Sequence, residues 1–178
     1  MANQVSLVDP RPVPDFRIRK ASVEDAEGIA RVLKQIASER VHSAIERPWP
    51  VEQQRHYLES LSAREAFHVA VDASGEVVGY QTLDLWSPLL SSMMHVGQLG
   101  TFVLPEWRRR GIGHALFQTS QSFARSSGYC KILIQVRASN ILAQMFYRQL
   151  GFVQCGRLAR QVRIGEQEDD EIIMELFL

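Results

Sequence analysis

The feature that most constrains this chain is a change in the period of its apolar residues at Phe67. Before that point they recur at helical spacing, with Ile29, Val32, Leu33 and Ile36 following a helix-start signal at Ser22 and Asp25. Arg47-Pro48-Trp49-Pro50 then breaks the chain, and Val51 to Leu61 reads as a second helix. From Phe67 the period is two. Phe67–Val71 and Val77–Leu85 read as strands joined by the tight turn Ala73-Ser74-Gly75-Glu76, and Trp86-Ser87-Pro88 ends the hairpin in an exposed loop. A third apolar stretch, Met93 to Val103, stops at Pro105. Helices are then expected at about 113–126 and 140–150, each closed by a glycine, Gly128 and Gly151. Strands are expected at Phe16–Arg19, Ile132–Val136, Arg157–Val162 and Ile172–Phe177. Early strands that follow one another as a meander exclude a wholly parallel sheet, so the fold class is a mixed α/β domain.

Length limits this to one domain: 178 residues fill one sizeable core, not two. Residues 1–15 carry Pro10, Pro12 and Pro14 and read as a flexible tail ahead of a single domain over 16–178. Lys+Arg and Asp+Glu both number 20, which gives no electrostatic reason to expect a nucleic acid or membrane partner. No apolar run is long enough to span a bilayer and the N-terminus lacks a signal-peptide pattern, so a cytoplasmic protein is expected. Cys130 and Cys155 are not at metal-ligand spacing; they read as buried free thiols, with no metal site.

Chemistry concentrates between the strand ending at Val103 and the helix near Gly113, in Arg108-Arg109-Arg110-Gly111-Ile112-Gly113. Glycines there open backbone conformations closed to other residues, and amides at a helix start point outward along a positive dipole end. Three arginines add full charges, so a pyrophosphate is the natural guest. A tight turn with a solvated arginine run fits the same residues. There is no Gly-Lys-Ser/Thr for a nucleoside triphosphate and no GxGxxG for a dinucleotide. One basic cluster without an aromatic platform gives RNA little support.

Arg108-x-x-Gly111-x-Gly113 resembles the (Gln/Arg)-x-x-Gly-x-(Gly/Ala) loop of the GNAT family of N-acetyltransferases. A second signature follows downstream: Asn140, the Phe146-Tyr147 pair and the closing Gly151-Phe152. The order of elements matches from Phe16 to the C-terminus. The ending, Gly156-Arg157-Leu158 through Asp170 to Met174-Glu175-Leu176, is similar to the branch of phosphinothricin and other amino-acid-like acetyltransferases.

The resemblance implies a splayed, mostly antiparallel sheet flanked by helices. It implies direct transfer of acetyl from acetyl-CoA to a primary amine, of a small molecule first and of a protein N-terminus or lysine second. Main-chain groups of Phe102 and Val103 are then expected on the pantetheine arm, and Arg108, Arg109, Arg110, Gly111, Ile112 and Gly113 on the pyrophosphate. Asn140 is expected near the cofactor, with a helix cap as an equal reading. Tyr147 matches the general acid for the CoA thiolate. Where the family often places a basic Glu, this chain has Gln98, which cannot act as a base at neutral pH. That departure leaves a non-catalytic acyl-CoA sensor as a rival of another class. His95 shares the strand, but alternation turns it to the opposite face. Trp86 and Asp170 are the acceptor-side candidates, with Trp49 and His42 behind them. The acidic run 167–171 reads as a cation attractor or a solvated hairpin turn. Many family members dimerise, and a homodimer is carried as an expectation.

Overall fold

The computed structural model describes residues 15–178, opening on strand β1 (Phe16–Lys20). Of the expected tail, residues 1–14 lie outside the described residues, whereas the Asp15 carboxylate pairs with Arg110 at 2.9 Å. The Ser22 N–H donates to the Asp25 carboxylate at 2.8 Å, satisfying one of the amides a helix start leaves over, and α1 (Ala26–Ser38) follows. Next come α2 (Val51–Ser60), the hairpin β2 (Ala66–Asp72) and β3 (Val77–Leu85), and β4 (Val96–Val103). The rest is α3 (Ile112–Ser126), β5 (Lys131–Arg137), α4 (Ile141–Gln149), β6 (Val153–Ile164) and β7 (Gln167–Phe177).

The strands form one sheet in the order β1-β2-β3-β4-β5-β7-β6. Every neighbouring pair is antiparallel except β4 with β5. Helices cover both faces, and successive strand residues serve opposite ones. Phe67 on β2 meets the Tyr57 ring of α2 at 6.0 Å, while its neighbour His68 bonds Ser120 of α3 at 2.9 Å on the other side. Phe67, Leu83, Ile132 and Met174 are fully buried, each contributing about 1.5–3 kcal/mol relative to exposure.

The loop between α1 and α2 is tied down from below. Arg137, on β5, donates to the Asp169 carboxylate at 2.9 Å and to the Arg40 carbonyl at 2.6 Å. Its buried guanidinium thus has an ionic partner, which is what makes such burial tolerable.

Two expectations are corrected. The acidic run 167–171 is strand rather than turn: Glu168 stands opposite Arg163 of β6, the Asp169 carboxylate forms an ion pair with Arg137 of β5, and Glu171 stands opposite both Arg137 and Leu158. Charges alternating with partners on neighbouring strands allow it to pair, so β6 and β7 are longer than their apolar cores suggest. Cys130 and Cys155 are free but exposed, because one sits at the bend before β5 and the other on the edge strand β6.

Gly28 shows how closely α1 lies on the sheet. A Cβ there would fall 2.8 Å from Val77 Cγ2 and 2.9 Å from Val77 Cβ. In an exposed helix Gly→Ala stabilises by about 1 kcal/mol. Here the clash reverses the sign: Gly28→Ala is expected to destabilise by about 1–3 kcal/mol. Urea unfolding followed by circular dichroism reads this directly, and an unchanged or higher midpoint would show that α1 lifts without cost.

Candidate active site

β4 and β5 begin side by side and then part. They pair only at Val96↔Lys131, Gly97↔Ile132 and Gln98↔Leu133, although β4 runs on to Val103 and β5 to Arg137. The direction of each main-chain group on β4 follows from its pairing with β3. Leu104 N–H donates to the Val78 carbonyl and Trp86 N–H to the Val96 carbonyl, both at 3.0 Å. Even-numbered residues of β4 therefore bond β3, and odd-numbered ones face β5. Beyond the last pair with β5 this leaves the C=O of Leu99, the N–H and C=O of Thr101, and the N–H of Val103, toward the split. The Val103 carbonyl is taken by Arg108 Nε at 3.0 Å. Phe102 is thereby corrected: its main chain belongs to the β3 ladder, opposite Tyr80, and only its side chain reaches a cavity.

The arginine-glycine loop lies beyond the end of the split. Arg109 and Gly111 have φ of 62° and 86°, and the Arg110 between them keeps the ordinary negative sign. Such alternation turns successive N–H groups into one concavity, a nest for anions. The nest runs directly into the N-terminus of the 15-residue helix α3, whose dipole adds partial positive charge. A Cβ on Gly111 would meet nothing within 4 Å, so this glycine is required by its φ and borders open space. Gly113 serves packing instead: a Cβ there would approach the Phe146 ring of α4 to 3.0 Å. Ile112 is buried beneath the loop.

The three arginines differ. Arg108 bonds Glu39 at 2.7 Å and locks the loop to the end of α1. Arg110 pairs with Asp15 at 2.9 Å and lies 4.7 Å over the Trp107 ring. Arg109 is exposed and has no ion-pair partner among the described residues, which leaves its charge for a ligand.

Tyr147 of α4 stands across the split. It is 6% exposed, wedged against Phe146 and Phe152, and its hydroxyl donates to Thr101 Oγ1 at 2.9 Å. The same Thr101 oxygen accepts from Gln81 Nε2 at 2.7 Å. Burial pushes the Tyr147 phenol up to about 12. Asn140 caps α4: its Oδ1 accepts from Ala143 N–H at 3.1 Å and its Nδ2 donates to the His42 carbonyl at 3.2 Å.

On the opposite face of β4 lies a cavity of about 480 Å³ between α1, α2, β3 and β4. Its walls include Ile45, Trp49, Tyr57, Phe67, Tyr80 and Phe102, and its polar end holds Gln98 and Asp84. These two are opposed across β4 and β3. Asp84 accepts a hydrogen bond from the Tyr57 hydroxyl. Burial lifts the Asp84 carboxyl above its usual range, with nearby Glu65 adding to the effect and the Tyr57 bond opposing it. Gln98 Nε2 donates to Gln135 Oε1 at 2.9 Å, and Gln135 Nε2 donates to Glu171 at 3.0 Å. A carboxylate at the far end accepts only, so this chain of amides has one polarity, and Gln98 Oε1 is left to accept at the cavity.

Sequence reasoning missed Asp84. It looked for a carboxylate along β4, whereas the neighbouring strand supplies it; the signal was one acid in the apolar run Val77–Leu85. Trp49 lines the cavity, but Trp86, His42 and His95 do not. Trp86 sits just past β3, and His95 is exposed just before β4. Asp170 is outside the cavity as well, held by Arg157 Nε at 2.6 Å and Arg160 N–H at 2.7 Å on the β6–β7 hairpin.

Comparison with known proteins fits this geometry. The chain is 29% identical to an N-alpha-acetyltransferase of Sulfurisphaera tokodaii over 85% of its length and 89% of that protein's. It is 25% identical to an L-methionine sulfoximine/L-methionine sulfone acetyltransferase of Pseudomonas aeruginosa, over 79% of this chain and 82% of the other. The solved structure of a phosphinothricin acetyltransferase from Sinorhizobium meliloti in complex with AcCoA superposes with a TM-score of 0.85 at 19% identity. That match covers 92% of this chain and 89% of the other. The acetyltransferase (GNAT) family matches residues 33–152, which span the cavity, the split, the nest and Tyr147, and the chain belongs to that family.

Proposed function

We propose that this protein moves the acetyl group of acetyl-CoA directly to the primary amine of a small molecule. The observation that carries this reading is the line formed by the anion nest, the unpaired main chain of β4 and the Tyr147 hydroxyl, with a cavity opening across β4. The nest, Arg109 and the α3 N-terminus would hold the pyrophosphate. Leu99, Thr101 and the Val103 N–H would hold the amide-bearing arm, and Gly111 leaves space on the ligand side. Bound acetyl-CoA supplies the thioester carbonyl carbon that the amine attacks.

The remaining chemistry belongs to the protein. Asp84, ionised, takes one proton from the entering ammonium, and Gln98 Oε1 accepts a second N–H and aims the lone pair. The C–N bond forms, the C–S bond breaks, and the amine's surplus proton ends on the departing sulfur. Tyr147 stabilises that sulfur by donating a hydrogen bond. With a thiol near 8.5 and Tyr147 at about 12, full transfer of its own proton would be uphill by roughly 5 kcal/mol, so it remains protonated. Asp84 restores the base that Gln98 lacks, which weakens the case for a non-catalytic sensor. A polypeptide N-terminus is the second acceptor reading, favoured by the similarity to the Sulfurisphaera enzyme.

Thiol release from acetyl-CoA across an amine panel tests the reaction. Tyr147→Phe is expected to lower kcat about 10²-fold while acetyl-CoA affinity is kept; equal turnover in the variant would remove Tyr147 from the mechanism. Arg109→Ala should weaken acetyl-CoA binding about fivefold, and less at high salt, by calorimetry.

Asp84 gives a pH signature. Its ionised form is the active one, so kcat/KM should fall as pH drops through a value above the ordinary 3.8. Tyr57, Thr82, Tyr80, Glu65 and Gln98 are among the polar groups around it; the Thr82 side chain, like Tyr57, opposes the upward shift, and the Tyr57 hydroxyl stays protonated because burial raises it further. Stability runs the other way. Ionisation is harder in the folded chain, so the stability present with Asp84 protonated is lost as pH rises through its folded value. Asp84→Asn keeps an acceptor for Tyr57 and should raise stability at neutral pH while losing the acid limb and most activity. A thermal melt and a pH-rate profile of the variant check both signs.

A further inference from the structure

The cavity carries one charge, and that charge selects among amines. We infer that the acceptor is a primary amine with an apolar body and no carboxylate near the nitrogen, an arylalkyl or branched alkyl amine rather than an amino acid. The inference rests on the acetyl-transfer reading above and names its substrate class.

The walls favour an apolar guest. Trp49, Tyr57, Phe67, Tyr80 and Phe102 form a continuous aromatic series with ring centroids 5.7, 6.0, 5.0 and 4.9 Å apart in that order. Ile45 and Leu33 fill the side toward α1. A volume of about 480 Å³ suits a small molecule. At the polar end Asp84 is the only charged residue in the wall among the described residues, and no Lys or Arg lines it. An ammonium therefore gains a carboxylate partner in an apolar surrounding, flanked by rings whose faces also attract cations.

A carboxylate two bonds from that ammonium would enter the same space. It would find no cationic fork, and it would be buried unpaired beside Asp84, where like charges repel. Three arginines of neighbouring elements lie outside the wall and are already engaged. Arg137 is held by Asp169 and the Arg40 carbonyl, Arg108 by Glu39 and the Val103 carbonyl, and Arg31 by Glu76 and the Val77 carbonyl. The site discriminates through what it withholds.

Three acceptors that differ only beside the nitrogen test this: phenethylamine, phenylalaninamide and phenylalanine, each with saturating acetyl-CoA. The first two should be acetylated with kcat/KM at least about 10²-fold above phenylalanine. Asp84→Asn should abolish phenethylamine binding by calorimetry while leaving acetyl-CoA binding intact. Phenylalanine within tenfold of its amide would overturn the proposal and leave the enzyme reading standing. Turnover of Met-initiated peptides with none of the small amines would also overturn it, in favour of a polypeptide acceptor. Asp84-dependent binding of phenethylamine without any acetyl transfer would support the cavity assignment and sink the enzyme reading instead.

Discussion

The parting of β4 from β5 after three residue pairs is the constraint on which the rest depends. A parallel pair that continued would satisfy every main-chain group of both strands and leave a closed sheet. Divergence exposes polar main chain on one side of β4 while β3 keeps the strand straight from the other. The opening is backed by packing: α4 places Phe146 and Tyr147 beside it, Phe152 of the α4–β6 connection packs on Tyr147, and Gly113 lets Phe146 close against α3. One ring contact thus couples the anion nest to the Tyr147 end of the split.

Much of this was legible in the sequence. The period change at Phe67, the capping signal at Ser22 and Asp25, and the glycines after two helices gave the element order, because those signals are local. The nest was legible too, since its glycine and arginines are contiguous. Parity was not. Whether Phe102 or Val103 turns its main chain to the split depends on register with β3, which no spacing along β4 reveals. The same limit hid Asp84, whose meaning comes from the residue opposite it. Charge pairing between β7 and its neighbours likewise made a strand of what composition alone presented as a loop.

Polar groups are distributed unevenly over the two faces of β4. On the Tyr147 face, Thr101 gathers hydrogen bonds from Gln81 and Tyr147 and fixes a donor that stays protonated. On the cavity face, the Gln98–Gln135–Glu171 chain fixes an acceptor, and Asp84 adds a carboxyl that burial lifts above its usual range. Donor and acceptor roles are thereby assigned by separate networks that share no residue.

Alternation along β4 also has a historical consequence. Odd-numbered positions turn their main chain to the split, where acetyl-CoA is proposed to lie, and main-chain groups survive side-chain substitution; even-numbered positions turn side chains to the cavity proposed for the acceptor. On the proposed reading, a lineage can therefore exchange residues at 98, 100 and 102, and opposite them at 80, 82 and 84, without touching the main-chain groups of the donor half. Acceptor preference is free to drift one substitution at a time, along a strand whose other edge stays unchanged.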